Sequence, residues 1–333
     1  MTTLTQDARR ARLPRPRGPL SAHVLDAVSG PVRRVEDGPG VTGDALAGDD
    51  FHLALYVCYE LHYAGFEGVD EGWEWEPSLL ELRRRLEDAF EKELVVALGP
   101  PEARPDEITG RLRALAAAPG GRSLSRYLEA EPSLERFREF VVHRSAYHLK
   151  EADPHSWAIP RLTGKAKAAM LEIQHDEYGS GDPERMHSAL FAGTMRALDL
   201  DDSYGAYLSR LPGVTLAGVN LMSLFGLHRR WRGALVGHLA LFEMTSTEPN
   251  RRYGEALRRL GYGPETTRFY DEHVEADAVH ENIAAVDLAG GFARDEPDLA
   301  GDVELGALAL LYLEQNWADH LMTAWDAGRS SLL

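Results

Sequence analysis

The sequence predicts an all-helical protein. Apolar residues recur three and four positions apart over most of the chain, while strict alternation of apolar and polar residues is rare. Proline- and glycine-rich stretches divide these periodic segments into pieces of ordinary helix length. With 333 residues the chain can also bury a substantial core. We therefore expect a helical bundle.

The N-terminal region predicts little regular structure. Arginines alternate with prolines between residues 9 and 19, and no apolar stretch of signal-peptide length accompanies them. We expect residues 1–50 to be a mostly disordered basic arm and linker. Residues 51–125 are expected to form an auxiliary helical segment packed on a core domain of residues 126–333.

The helices follow from periodicity and from residues that begin or end a helix. Ser78 is a favoured type of N-cap, and the segments Gly179–Pro183 and Gly261–Pro264 are strong breaks. In chain order, helices are predicted at about residues 51–64, 78–94, two within 106–128, 132–153, 163–178, one carrying His187 and Phe191, and then 201–209, 214–227, 231–245, 249–260, 265–289 and 300–326.

Charge and cysteine content exclude several classes of function. The formal net charge of −17 repels nucleic acid and anionic lipid, so neither is an expected partner. Cys58 is the only cysteine, which rules out an intrachain disulfide, a cysteine-based zinc site and a cysteine-ligated iron–sulfur cluster. No window approaches eighteen consecutive apolar residues, and we expect a cytoplasmic protein. Any bound metal must be held by nitrogen and oxygen.

The segment HVEADAVH at residues 273–280 carries three candidate metal ligands on one helical face. His273, Asp277 and His280 occupy positions i, i+4 and i+7, which fall within about 60° of each other on a helix. The alternative is a solvated polar stripe. Phe269 and Tyr270 flank the segment on one side and residues 283–286 on the other, which favours a helix inside a bundle.

Other acids and imidazoles lie in apolar helical segments, where they are costly unless paired or bound to metal. One segment offers two readings. Glu172 and His175 have the Glu-x-x-His spacing of ferritin-type bundles, but Glu177 lies about 140° around the helix from Glu172, so both carboxylates cannot easily face one metal. The remaining candidates of this kind are Glu151, His187 and Glu243.

Several motifs agree in order and spacing with one family. They are DEYGSG from Asp176, LHRRWRGALVGHLA from Leu227 and FYDEHVEADAVHE from Phe269. Glu177 also follows Glu151 by 26 residues and precedes His187 by ten. Over about residues 130–325 the chain resembles the heme-oxygenase-like di-iron oxidases, a group of iron-containing redox enzymes, and in particular their N-oxygenase members.

The resemblance implies a heme-oxygenase-like helical bundle with additional N-terminal helices and a non-heme di-iron oxidoreductase activity. Two Fe²⁺ ions would be the cofactors and O₂ a co-substrate. Catalytic residues beyond the metal ligands, and substrate-binding residues, are not assigned. The metal ligands that the resemblance implies are Glu151, Glu177, His187, Glu243, His273, Asp277 and His280.

The expected reaction is N-hydroxylation, or a related oxidation, of a small amino-acid-derived molecule in specialised metabolism. Two alternatives stay open: desaturation or carbon–carbon cleavage of an amino acid or fatty acid, and a non-catalytic helical metal-binding or interaction protein. A second copy of the chain and an external electron donor are open as partners. Arg229, Arg230 and Arg232 are either a clamp for a substrate carboxylate or ordinary surface charges.

Overall fold

The computed structural model describes residues 10–118 and 120–333, except for the side chains of residues 277–279. The described chain is mainly α-helical and contains no β-strand, only one isolated parallel bridge between Ala11 and Phe66. The predicted all-α class is confirmed. Among the same residues, no helix combines the length and apolar character needed to cross a bilayer.

The α-helices, numbered in chain order, are α1 (Pro19–Val28), α2 (Asp49–Glu60), α3 (Pro77–Leu98), α4 (Ile108–Ala117), α5 (Leu124–Ala130), α6 (Leu134–His148), α7 (Asp153–Ser156), α8 (Gly164–Glu177), α9 (His187–Ala197), α10 (Gly213–Leu227), α11 (Arg232–Arg259), α12 (Pro264–Asn282), α13 (Gly290–Asp295) and α14 (Ala300–Asp326). A π-helix, Ile283–Ala289, joins α12 to α13. Short 3₁₀ turns occupy Glu71–Trp75, Ile159–Arg161, Gly179–Gly181, Leu208–Arg210, Arg229–Trp231 and Pro297–Leu299.

The chain forms two compact units. The first contains the described residues up to Ala97, together with Asp201–Leu221 and Leu332–Leu333, and the second contains Leu98–Leu200 and Met222–Ser331. These units do not follow the ranges 1–50, 51–125 and 126–333, whose status as domains stays a prediction. The candidate metal ligands all belong to the second unit.

The expectation that residues 1–50 are mostly disordered is wrong for α1, which lies within that range and belongs to the first unit. The Asp50 carboxylate accepts hydrogen bonds from the backbone N–H groups of Leu20 (3.0 Å) and Ser21 (2.7 Å). These are donors that a helix start leaves unpaired, so a distant acid completes α1. Sequence periodicity could not reveal this contact, since its partners lie thirty residues apart.

In the second unit, α11 packs against both α12 and α14. Glycines allow α11 and α14 to approach closely. A Cβ atom on Gly237 would lie 1.8 Å from the carbonyl oxygen of Val303, and one on Gly306 would lie 1.9 Å from that of Ala234. The two helix backbones therefore touch where no side chain fits between them.

The helix predicted at 201–209 is wrong. Only the 3₁₀ turn Leu208–Arg210 is helical there. Gly205 adopts φ +72°, outside the right-handed helical region, and the Asp201 side chain accepts a hydrogen bond from the N–H of Ser203 (2.9 Å). Local hydrogen bonding of this kind competes with a helix.

The helices predicted at 231–245 and 249–260 are one helix, α11, with Pro249 inside it. A proline removes one backbone donor and disfavours a helix interior, but packing along α12 and α14 keeps the two halves continuous. The helix predicted at 132–153 ends instead at His148, so Glu151 lies in the following turn rather than on the helix.

Candidate metal centre

Glu151 is placed by a strained turn between α6 and α7. The next residue, Ala152, has φ +75°, which is unusual for a residue with a side chain. The Gln174 side chain of α8 supports this turn by donating to the Ala152 carbonyl (2.8 Å). The result is a fully enclosed Glu151, with 4% of its surface exposed, where a helix-end glutamate is usually solvated.

Four side chains from separate segments meet around this turn. Glu177 ends α8, His187 begins α9 and His273 lies on α12. With Glu151, each offers one ligand atom, and these four atoms all lie within 4.8 Å of one another. All four residues are buried. The turn Gly179–Gly181, with Gly179 at φ +68°, lets the chain reverse between Glu177 and His187.

The His273 ring is held in one orientation. Its Nδ1–H donates to the carbonyl oxygen of Phe269, one turn back on α12, at 2.8 Å. Nε2 lies on the opposite side of the ring, 3.7 Å from Glu151 Oε1. A backbone acceptor on the other nitrogen is the usual partner of a metal-binding histidine.

A second group shares Glu177 with the first. Glu177, Glu243 of α11 and His280 of α12 are all buried, and their ligand atoms also lie within 4.8 Å of each other. His280 lies between two carboxylates, with Nδ1 3.2 Å from Glu243 Oε2 and Nε2 3.0 Å from Asp176 Oδ2. Burial alone would lower the pKa of His280, but Glu243 and Asp176 raise it to about 9.

Electrostatics also shift the first group. Burial favours a protonated Glu151, yet His148 and His273 hold the pKa of this carboxyl well below its usual value. Burial likewise lowers the pKa of His187, but the Glu177 carboxylate more than compensates and raises it. The neighbouring imidazoles therefore favour the ionised form of the buried Glu151 carboxyl.

The donor atoms fit a metal. Within the described residues, Glu151 Oε2, Glu177 Oε2 and His187 Nδ1 are buried and have no hydrogen-bond partner. Glu177 Oε2 and His187 Nδ1 are only 3.0 Å apart, but their geometry is not that of a hydrogen bond. Buried ligand atoms that converge without satisfied hydrogen bonds are what a shared cation would satisfy. Carboxylate oxygen and imidazole nitrogen suit iron.

The structure thus brings together six of the seven predicted ligands, namely Glu151, Glu177, His187, Glu243, His273 and His280. The seventh, Asp277, is on α12, but its side chain lies outside the described part of the chain. Glu172 and His175 are exposed on the opposite side of α8 from buried Glu177. That these six residues bind metal stays a prediction.

Several polar neighbours of the site escaped the sequence analysis. His148 Nδ1 donates to Glu151 Oε1 at 2.8 Å, and buried His155 and His238 are joined through Nε2 and Nδ1 at 3.1 Å. His148 and Glu151 are three residues apart, a spacing that brings two side chains together on a helix. The sequence could therefore indicate their contact only on the expectation that the helix extends to Glu151. The pairing of His155 with His238 spans 83 residues and left no sequence signal.

A cavity of about 670 Å³ leads to the centre. Its walls include Arg144, His148, Tyr253, Tyr270 and Trp317. A smaller cavity of about 10 Å³, with room for about one water molecule, lies among the candidate ligands. Phe242, Ser246 and His273 line both cavities, so the larger one opens beside the candidate ligands.

The arginine clamp suggested by Arg229, Arg230 and Arg232 is wrong for this cavity, whose described lining contains none of the three. Arg229 and Arg230 are exposed, and Arg232 donates two hydrogen bonds to the carboxylate of Glu296. The arginine at the cavity is Arg144. It donates to both oxygens of Glu314, at 2.9 and 2.6 Å, and lies over the Trp317 ring at 4.0 Å.

The fold and the site define a helical protein with a buried carboxylate–histidine centre beside an open cavity. Residues 138–315, just over half of the chain, match the family model described as iron-containing redox enzyme. The chain belongs to this family and is an iron-containing oxidoreductase, as the sequence motifs predicted.

The chain is also similar to a nitrosourea synthase from Streptomyces achromogenes subsp. streptozoticus. The two are 25% identical over 147 residues, which cover 44% of this chain and 31% of that protein. The matched region therefore spans less than a third of the relative's length. This relative fits the family resemblance that the motifs suggested.

Proposed function

We propose that this protein is an O₂-dependent non-heme di-iron oxygenase that hydroxylates a nitrogen, or carries out a related oxidation, on a small amino-acid-derived substrate in specialised metabolism. The observation that carries the proposal is the sharing of Glu177 by two buried ligand groups. A carboxylate has two oxygens and can therefore serve two neighbouring cations. Two groups with a common carboxylate suit a pair of ions better than one.

The residues divide between the two ions. Glu151, His187 and His273 would hold one ion and Glu243 and His280 the other, with Glu177 common to both. Asp277 is retained from the family motif as a further proposed ligand. When bound, the iron pair supplies the electrons and open positions for O₂ activation, which protein side chains alone cannot supply.

The chain's own groups orient these ligands. The Phe269 carbonyl fixes the His273 ring, and Asp176 holds Nε2 of His280 while Nδ1 faces Glu243. Each imidazole ring is thereby held in one orientation, and for His273 the carbonyl acceptor also places the proton on Nδ1. The candidate ligands are buried, and the small cavity among them has room for about one water molecule, so little bulk water reaches them.

The larger cavity suits an amino-acid derivative. Its volume lies in the range of roughly 300–1,000 Å³ typical of small-molecule sites. Its wall carries the Arg144–Glu314 ion pair beside aromatic residues, so it offers both polar and apolar surface to a ligand. The relative's name, nitrosourea synthase, supports nitrogen as the oxidised atom.

The apolar part of the same cavity supports a second candidate, the desaturation or carbon–carbon cleavage of an amino acid or fatty acid. Phe140, Tyr253, Tyr270 and Leu310 offer a surface for a hydrocarbon chain.

Hydroxylation of an amine consumes one O₂, two electrons and two protons and releases water. A turnover assay therefore includes an external reductant.

An anaerobic titration with Fe²⁺ tests the metal proposal first. We expect two equivalents to bind to the full chain. Oxygen uptake is then measured with reductant and separate panels of amino acids, their N-substituted derivatives and fatty acids, and products are identified by mass spectrometry. Iron binding without substrate-dependent O₂ uptake would support the non-catalytic alternative, and absence of a stoichiometric iron site would refute the di-iron proposal.

A further inference from the structure

We propose that His148 is a positioning residue for the iron centre: its Nδ1–H holds one oxygen of Glu151 and leaves the other oxygen free for metal. This inference rests on the proposed function and adds a residue that neither the family motif nor the ligand spacing assigned.

The contact itself is short and enclosed. His148 Nδ1 lies 2.8 Å from Glu151 Oε1, and the two residues are 9% and 4% exposed. A carboxylate only accepts hydrogen bonds, so the proton of this bond belongs to the imidazole. Glu151 Oε2 is buried and has no hydrogen-bond partner among the described residues. One oxygen is thus held while the other remains available.

The imidazole ring cannot readily turn away. Its centroid lies 4.8 Å from that of Phe191 and 4.9 Å from that of Phe269, and Tyr147 is 5.1 Å away. Phe269 also fixes His273 through its carbonyl oxygen. Packing therefore sets the direction of the Nδ1–H bond, and the same aromatic residue supports both histidines.

Glu151 needs such a partner because its own backbone is not helical. Helix α6 ends at His148, and Ala152 holds a strained positive φ of 75°. A side chain on a turn has more freedom than one on a helix, so its carboxylate must be oriented by a neighbour. Helices α8, α9, α11 and α12 carry the other ligands of the two groups.

A purely stabilising role explains the pair less well. Burying a carboxylate and its hydrogen-bond partner is often no better for stability than a pair of apolar residues. His148 also lines the large cavity, and Glu151 lines the small one. His148 therefore links the wall of the proposed substrate space to the candidate ligand Glu151.

Two amide substitutions separate positioning from general stability. His148→Asn places an N–H close to the position of Nδ1, whereas His148→Gln places its amide near the position of Nε2. We expect His148→Gln to bind one of two Fe²⁺ equivalents about 10- to 100-fold more weakly, as is typical when a partner of a metal ligand is lost. His148→Asn should restore affinity to near the wild-type value.

A matched control lies on the same helix. His143 is buried, and its Nε2 contacts the Ser331 hydroxyl at 3.0 Å rather than a candidate ligand. His143→Gln should therefore keep both iron equivalents at wild-type affinity. Thermal unfolding of the metal-free proteins shows whether each variant is folded before its titration is interpreted.

The outcomes distinguish this inference from the proposed function. If the wild type binds two equivalents and His148→Gln binds both equally well, or if His148→Asn is no better than His148→Gln, the inference is overturned. If the wild type binds no iron, the di-iron proposal fails. Nitrogen NMR of the metal-free protein still tests the contact: the Nδ1–H signal of His148 should shift in Glu151→Ala, and an unchanged signal would overturn the inference independently.

Discussion

Gly237→Ala should strongly destabilise the protein, because it adds a methyl group where α11 and α14 touch. The new Cβ would lie 1.8 Å from the Val303 carbonyl oxygen, whereas ordinary contact begins at about 3.4 Å, so the backbones must separate by about 1.6 Å. A helix carbonyl is held by its own hydrogen bonds and cannot rotate aside. The obstruction therefore acts between whole helices.

The expected loss follows from two opposing effects. Overpacking a core costs typically 1–3 kcal/mol, occasionally more, and a rigid backbone contact belongs at the upper end of that range. Replacing glycine by alanine within a helix recovers about 1 kcal/mol of helix propensity. We expect a net decrease of about 2 kcal/mol or more in the free energy of unfolding. Because α11 also carries Glu243, its displacement should weaken iron binding as well.

Urea denaturation followed by circular dichroism measures this change. Gly110→Ala is the control, since Gly110 lies in α4 of the same unit and an added Cβ meets nothing within 4 Å. That variant should be neutral or more stable by roughly 0.5–1 kcal/mol. If Gly237→Ala is as stable as Gly110→Ala, the helices do not cross as closely as described and the reasoning is refuted.

Three further predictions concern the ligands, the first unit and the rejected clamp. Glu177→Gln should lose affinity for both Fe²⁺ equivalents, whereas Glu172→Gln should keep both; equal loss in an anaerobic titration would contradict the assignment. His52 is buried with its pKa lowered to about 4, below the unfolded value of about 6.5, so stability should be full above pH 6.5 and fall by about 3 kcal/mol toward pH 4. His52→Asn should remove this part of the pH dependence in urea melts at several pH values, and an unchanged slope would count against it. Arg232→Ala should cost about 1–2 kcal/mol by leaving Glu296 unpaired, without changing iron content.

Local sequence patterns determined most of the helices. The predicted boundaries at 300–326 coincide with α14, and those at 214–227 lie within one residue of α10. These segments are strongly apolar, and each has a glycine or proline break at one end: Pro212 precedes α10, and Gly328 follows α14. The segment 201–209 failed because a left-handed glycine and an aspartate turn outweigh its weak periodicity. Pro249 predicted a break between two helices, but packing against α12 and α14 keeps α11 continuous.

The candidate ligands could be found from spacing within helices together with the family motif. His273 and His280 lie seven positions apart on one face of α12, and the structure places both in buried groups. The partners of the ligands could not be found in this way. Asp176 meets His280 across 104 residues, and the role of His148 depends on where α6 ends. Such contacts are set by how helices pack, which no single segment encodes.

The strongest physical argument for a metal is the cost of the centre without one. Glu151, Glu177 and Glu243 are each less than 10% exposed in a protein whose net charge is already −17. Neighbouring buried carboxylates repel one another and lose hydration, so a fold selected for stability alone would replace them with apolar side chains. On the same helix α8, Glu172 and His175 are exposed to solvent, which is the usual position of polar side chains on a helix. A divalent cation would neutralise the buried carboxylates directly, which is why removal of Glu177 should affect both ions together.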